Sequence, residues 1–470
     1  MTAFAETPER FARRGPLQAL EAAVVRIHQT HPDPDAQPVV DSLRYLLSFC
    51  RLTQVRAADG ADVYLDDLVA PLATHVVRVL SEPLKGAETL WVATRELPEL
   101  LRRVRAVRAL ALERIDRASL EAEVTTRVLA VASGGGGGAG YNYPGCYEVL
   151  ERASLTPDLM AGTSIGSLMA MFRCRRRRWD MAPLVAAARQ LSWTGIFKVL
   201  QTENRYGLPA TLRLHLQGAL GGLFRNEDDR ALLLGDLEIP LYIVATGITM
   251  DALKHDLGYY EHLLDNDVRR RGVRGGLRAG LKAIGMLREF LSRRDALVEL
   301  VLGRDPGTDA FNVLDAAGFS AAIPAVIHYD VLRDDPDMKA LLDRIYAEHG
   351  ITRLGEGGMV SNVPARICWE TIIDGRLGRR NAFVLALDCF APDRRRLAWY
   401  PFQQAVQVAN VDADRVYADL YVPLGRTLSP MNLVPPIRDA LTAIRWGRED
   451  MAPHMPFISE MMRPLPVLAD

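Results

Sequence analysis

The chain has 470 residues, 49% of them hydrophobic and 24% charged, with a formal net charge of −1. At about 150 residues per domain this length implies two or three units, and the balanced charge excludes the global basic field of a nucleic-acid binder. Cys50, Cys146, Cys174, Cys368 and Cys389 show no CxxC spacing and are odd in number, which excludes a zinc ribbon and a disulfide framework and fits a reducing, cytoplasmic setting.

Residues 1–124 carry apolar side chains at three- and four-residue intervals, as in "GPLQALEAAVVRIHQTH" and "LWVATRELPELLRRVRAVRALALERIDRASLEAEV", and read as a helical N-terminal domain. The N-terminus lacks an apolar signal region, and no segment has the ~18 uninterrupted apolar residues of a membrane span. Prolines at 33, 35 and 38 break the first helix. From Arg127 to Ala132 a short apolar run ends in glycine, which predicts a buried strand. "YPGCYEVLERASL" predicts a helix, "PDLMAG" a second strand and "TSIGSLMAMFRC" another helix, the grammar of an α/β sheet. Further strands are predicted at 239–248 and 382–390, and residues 396–470 read as a C-terminal extension.

Five consecutive glycines, Gly134–Gly138, follow the first of these strands, and Gly140 comes next. A P-loop requires G-x-x-x-x-G-K-[ST], but Tyr141 and Asn142 follow Gly140. A dinucleotide site requires G-x-G-x-x-G, which Gly135, Gly137 and Gly140 satisfy, and an acid ending the second strand; Asp158 precedes that strand instead. The third reading joins the glycines to Gly162-Thr163-Ser164-Ile165-Gly166, a G-x-S-x-G. This pattern suits a sharp strand-to-helix turn that holds a serine hydroxyl at a helix N-terminus. Such a nucleophile needs backbone N–H groups aimed at its oxyanion, and bare glycine backbone can supply them.

These motifs resemble those of the patatin-like phospholipases. Gly135-Gly136-Gly137 with Gly140 matches the family's glycine block, and Gly162 to Gly166 its serine block. Glu356-Gly357-Gly358 stands where the family has Asp-Gly-Gly; "SNVPA" after it and "FSAAIPAVI" (319–327) before it resemble the flanking segments. The resemblance implies an α/β fold, a patatin-like sheet flanked by helices, over residues 125–395 with an insertion at about 250–310. It implies a serine lipid acyl hydrolase that needs no histidine, metal or organic cofactor. Ser164 is then the nucleophile, Glu356 the general base, and the amides of Gly135, Gly136, Gly137 and Gly138 the oxyanion hole. Gly140, Gly162, Gly166, Gly357 and Gly358 support the motifs. His328 reads as a packed residue and Asp388 as a turn cap that is also the fallback base. Two positions depart from the pattern: the dyad acid is one methylene longer, and Ala139 replaces a basic residue of the glycine loop. A catalytically weakened lipid-binding protein is therefore the alternative reading.

From Arg269 to Arg294 nine basic residues face one acid, Glu289, with Leu277, Leu281, Ile284 and Leu291 on one helical face. Residues 268–294 thus read as an amphipathic helix that either packs its apolar face on the core or docks peripherally on anionic membrane. "CRRRRWD" (174–180) is a second basic cluster, expected either to end a helix or to meet a lipid phosphate.

Overall fold

A computed structural model describes residues 2–199, 205–250, 296–392, 403 and 411–469. The basic stretch 268–294 lies outside the described residues.

The N-terminal part forms α1 (Thr2–Thr30), α2 (Gln37–Phe49), α3 (Asp66–Leu84), α4 (Trp91–Leu112) and α5 (Arg117–Thr125). It also contains a hairpin that helical periodicity concealed, β1 (Gln54–Arg56) and β2 (Asp62–Tyr64). Its strands are three residues long, too short for an alternation pattern, and Asp59-Gly60 supplies the turn, with Gly60 at φ +87°. Apolar side chains of these helices share one cluster, which includes Leu465 from the far end of the chain.

The chain then enters the main sheet. The principal strands are β3 (Val128–Ser133), β4 (Leu159–Gly162), β7 (Leu241–Ile248) and β11 (Ala382–Asp388). All four are buried along their whole length, which is why they read as continuous apolar runs. They pair in parallel in the order β7-β4-β3-β11, and β12 (Leu420–Pro423) adds a parallel edge strand beside β11. The C-terminal stretch read as an extension therefore completes the sheet. β8 (Leu297–Leu302) and β10 (Arg353–Glu356) pair antiparallel with β7. A separate three-stranded sheet joins β5 (Phe197–Val199), β6 (Ala210–Leu214) and β9 (Ala325–His328). The helices of this part are α6 (Tyr143–Arg152), α7 (Ile165–Cys174), α8 (Ala182–Gln190), α9 (Trp193–Ile196), α10 (Leu216–Leu220), α11 (Val313–Ser320), α12 (Pro336–His349) and α13 (Ala365–Ile373), of which α7, α11 and α13 pack on the main sheet. After α14 (Asp412–Arg415), α15 (Ile437–Met451) packs on α6, and α16 (Met455–Met462) packs on α1. No helix among the described residues is long and apolar enough to cross a membrane.

The register of β7 decides where chemistry can occur. Gly162 at the end of β4 lies opposite Ile243, and Glu356 at the end of β10 lies opposite Ala245. Because β8 occupies the other edge of β7 over Ile243–Ile248, β4 and β10 share one edge and meet head to head. Their C-terminal ends converge.

Three of the four arginines of 174–180 have local neighbours. Arg175 lies 5.3 Å from the Phe224 ring centroid, Arg176 pairs with Glu238 at 2.7 Å, and Arg177 lies 3.8 Å from Asp158. The cluster follows the end of α7.

The helical part is joined to the sheet by buried charge. Glu21 on α1 accepts from Arg44 at 3.2 Å, from Arg51 at 2.8 Å, and from Arg127 at the entry to β3. Burial acts to raise the Glu21 carboxyl, but the guanidiniums of Arg127, Arg51 and Arg44 outweigh it and hold it at about 2, against an ordinary 4.5. A depressed carboxylate stabilises the fold fully above its unfolded value and loses that contribution as pH falls through its folded value. Glu21→Gln should therefore lower the unfolding free energy in urea at pH 7 by roughly 3–5 kcal/mol, because it strands buried cations. The difference from wild type should shrink as pH falls from 4.5 towards 2.

Candidate active site

Ser164 occupies the turn between β4 and α7 with φ 53° and ψ −124°, a left-handed backbone that L-residues rarely adopt. Such a conformation costs about 1–3 kcal/mol and persists only where its surroundings enforce it. Here they do. The Ser164 N–H donates to Ser320 Oγ at 2.9 Å, its carbonyl accepts from Ser167 Oγ at 2.6 Å, and Thr163 Oγ1 donates to the Ser361 carbonyl at 2.8 Å. A side chain at Gly166 would stand 2.1 Å from the Ser133 carbonyl oxygen, so only glycine lets the elbow close against β3.

Glu356 ends β10 with its carboxyl beside the Ser164 hydroxyl and the Gly358 N–H. Burial pushes the Glu356 carboxyl up to about 7, while these two neighbouring donors act in the opposite direction. The two residues read from separate motifs are thus brought side by side.

The glycine loop lies beside this pair. A Cβ at Gly135 would be 3.2 Å from Ser164 Cβ and 3.6 Å from Glu356 Oε1. The loop's amides are not equivalent. Gly135 N–H is engaged by the Asn362 carbonyl at 3.1 Å, and Gly138 N–H by the Pro430 carbonyl at 2.9 Å. Gly136 and Gly137 stand between them at the start of a single 3₁₀ turn, Gly137–Asn142, where N–H groups have no partner within the turn. Gly137 has φ +56°, and a Cβ there would be 2.3 Å from the Pro430 carbonyl oxygen. The glycine tract therefore accommodates a second segment, 429–433, which was not evident from the sequence. Tyr141 Oη donates to the Leu433 carbonyl at 2.9 Å and fastens that segment down. Ala139 is fully buried, so the site of the absent basic residue is packed and apolar.

The other candidates fall outside the pair. Asp388 at the end of β11 accepts from Phe390 N–H at 2.7 Å and from the Tyr421 hydroxyl, as a turn cap does. His328 on β9 is buried and bonded through Nδ1 to the Leu208 carbonyl at 2.7 Å. Asp158 accepts from Leu129 N–H at 2.9 Å and holds the neighbouring strand instead of a ribose. Asn362 and Ser320, which hold the glycine loop and the elbow, carry no motif signal of their own; Asn362 sits within the "SNVPA" segment, and Ser320 within "FSAAIPAVI".

Ser164 opens into a cleft of about 760 Å³, open solvent at its mouth included. Its walls are Met169, Phe172, Leu184, Leu191, Phe197 and Leu216 among other apolar side chains. Gly137, Tyr141 and Leu433 line the end near the serine, and no charged side chain or histidine lines it among the described residues. Each methylene that leaves water for such walls gains about 0.8 kcal/mol. Among the described residues, no group of three or more His, Cys, Asp or Glu is placed to hold a metal ion.

A strained serine elbow on a mostly parallel sheet, paired with a carboxylate and opening on an apolar cleft, is the architecture of a serine hydrolase. A family model for patatin-like phospholipase matches residues 131–369, and the chain belongs to that family of lipid acyl hydrolases. A search of curated proteins found no match.

The raised carboxyl can be observed directly. In the infrared difference between wild type and Glu356→Gln, a protonated carboxyl band should disappear with a midpoint near pH 7. A midpoint at the ordinary value of 4.5 would show that the site does not perturb the acid.

Proposed function

We propose that the chain is a serine acyl hydrolase of lipid esters that works through a Ser164–Glu356 dyad. The observation that carries this reading is the placement of the strained Ser164 beside a carboxyl raised to about 7, at the head of an apolar cleft.

An acyl chain enters the cleft and its ester carbonyl reaches Ser164. Ser164 Oγ attacks the carbonyl carbon and its proton passes to the Glu356 carboxylate. The tetrahedral oxyanion lies against the N–H groups of Gly136 and Gly137 and near the N-terminal end of α7. The intermediate collapses, the ester C–O bond breaks, and the leaving alcohol takes the proton from Glu356. Water then attacks the acyl-serine, with Glu356 again accepting a proton. Collapse returns that proton to Ser164 Oγ and releases the fatty acid. A base with a pKa near 7 suits both directions of transfer at neutral pH. One observation favours a second reading, a lipid-binding protein with little turnover: glutamate stands where the family has aspartate, and a misplacement of ~1 Å can cost ~100-fold in rate.

A fluorophosphonate probe separates the two. The proposal expects labelling of wild type that is absent in Ser164→Ala, and ester hydrolysis that falls by about 100- to 10,000-fold in Glu356→Gln and is kept in Glu356→Asp. With wild type, kcat/KM should rise tenfold per pH unit below about 7 and level off above it, as the base deprotonates. Wild-type rates in Glu356→Gln exclude it as the base. An unlabelled wild-type protein points to the binding reading.

The loop geometry adds a finer expectation. Gly137→Ala should reduce kcat by about 100- to 1,000-fold, the effect of losing one oxyanion donor, with KM changed far less. An equal loss in both parameters would place Gly137 in substrate binding instead.

A further inference from the structure

A second, polar cavity lies far along the chain from the serine motif, at the seam between the N-terminal helices and the sheet. It measures about 390 Å³ with its open mouth, and Arg14, Arg51, Glu123, Arg380 and Asn381 line it together with the Trp369 ring. These residues belong to α1, the turn after α2, α5, and the α13–β11 junction.

The charges do not balance locally. Three guanidiniums line the cavity against one carboxylate, Glu123, which already accepts from the Arg380 backbone N–H at 2.7 Å. Arg51 reaches Glu21, but Glu21 is shared with Arg44 and Arg127. Arg380 reaches Asp62 at 2.9 Å, but Asp62 is shared with Arg56. Among the described residues, Arg14, 5% exposed, makes no ion pair and has one side-chain hydrogen bond, to Thr53 Oγ1. Two further buried donors have no acceptor among the described residues: Arg51 Nε, and Nη1 of Arg380, a residue 4% exposed. Burying an unpaired charge is costly, and arginine does not escape by releasing its proton at neutral pH. Burial, with Arg10, Arg51 and Arg380 nearby, holds even the Arg14 guanidinium down at about 9.

We propose that this cavity is an anion site that takes a monatomic halide of chloride's size, held by Arg14, Arg51 and Arg380. The vacant donors decide the class. Arg51 and Arg380 each offer isolated N–H groups from different elements, whereas a carboxylate or phosphate is matched by a two-pronged fork. A spherical anion accepts from several directions at once. It supplies the missing counter-charge and joins α1 to the start of β11, so its binding stabilises the seam between the helical part and the sheet. The site is separate from the Ser164 cleft and does not depend on the proposed chemistry.

The test compares the full-length protein in sodium chloride and in sodium gluconate at equal ionic strength, because gluconate is a bulky carboxylate that the separate, divergent donors do not match. The melting temperature should rise saturably with chloride by roughly 1–2 °C over gluconate. Arg14→Gln should remove the difference. Crystals soaked in bromide should show an anomalous peak among the three guanidiniums, a readout that does not require the variant to fold. Equal melting curves in the two salts, a chloride effect that survives Arg14→Gln, or bromide bound only elsewhere would each overturn the proposal.

Discussion

The site depends on one edge of one strand. β4 runs parallel to β7 and β10 runs antiparallel to it, and both lie on the same edge, so their C-terminal ends face each other. Their partners on β7, Ile243 and Ala245, are two residues apart, or about 7 Å at the rise of a strand. That interval is just wide enough for an elbow from one side and a carboxylate from the other. A slip of one residue in the β10 register would turn the carboxylate to the opposite face of the sheet. The continuous burial of β7 over Leu241–Ile248 guards against such a slip. The glycine loop follows from the same arrangement, because β3 lies beside β4 and delivers Gly134–Gly138 next to the elbow.

Around this point the molecule combines two opposed environments. The Ser164 backbone is strained and the Glu356 carboxyl is raised, and both states are maintained by neighbours that gain from packing. Ser133, Ser320, Ser361 and Asn362 fix the backbone, while the cleft beyond is lined by methyl, methylene and aromatic groups. The apolar cleft and the raised carboxyl therefore share one cause, burial away from water.

How much of this could be read in the sequence follows from the range of each interaction. Ser164 and its flanking glycines were legible because a sharp turn is a local event, decided within five residues. Glu356 was legible through resemblance alone, since the head-to-head meeting of β4 and β10 depends on pairing between segments far apart in the chain. The hairpin β1–β2 was missed because three-residue strands carry no period. The unequal roles of the glycine amides were hidden for a related reason. Gly135 and Gly138 are occupied by carbonyls of Asn362 and Pro430, and nothing near the glycines announces either partner. Asp388 and His328 were assigned their structural roles correctly because a residue at a strand end or in an apolar run has local work to do.

The cover over the glycine loop has a bearing on synthesis. The carbonyls that hold Gly138 and crowd Gly137 belong to residues 429–433, and the edge strand that precedes them is the last to join the sheet. A ribosome adds about 5–20 residues per second, so the serine elbow leaves the exit tunnel many seconds before the segment that fixes the loop beside it. A nascent chain would carry the serine turn without its finished surroundings. The order of translation thus leaves the Ser164 turn without its cover until residues 429–433 have emerged.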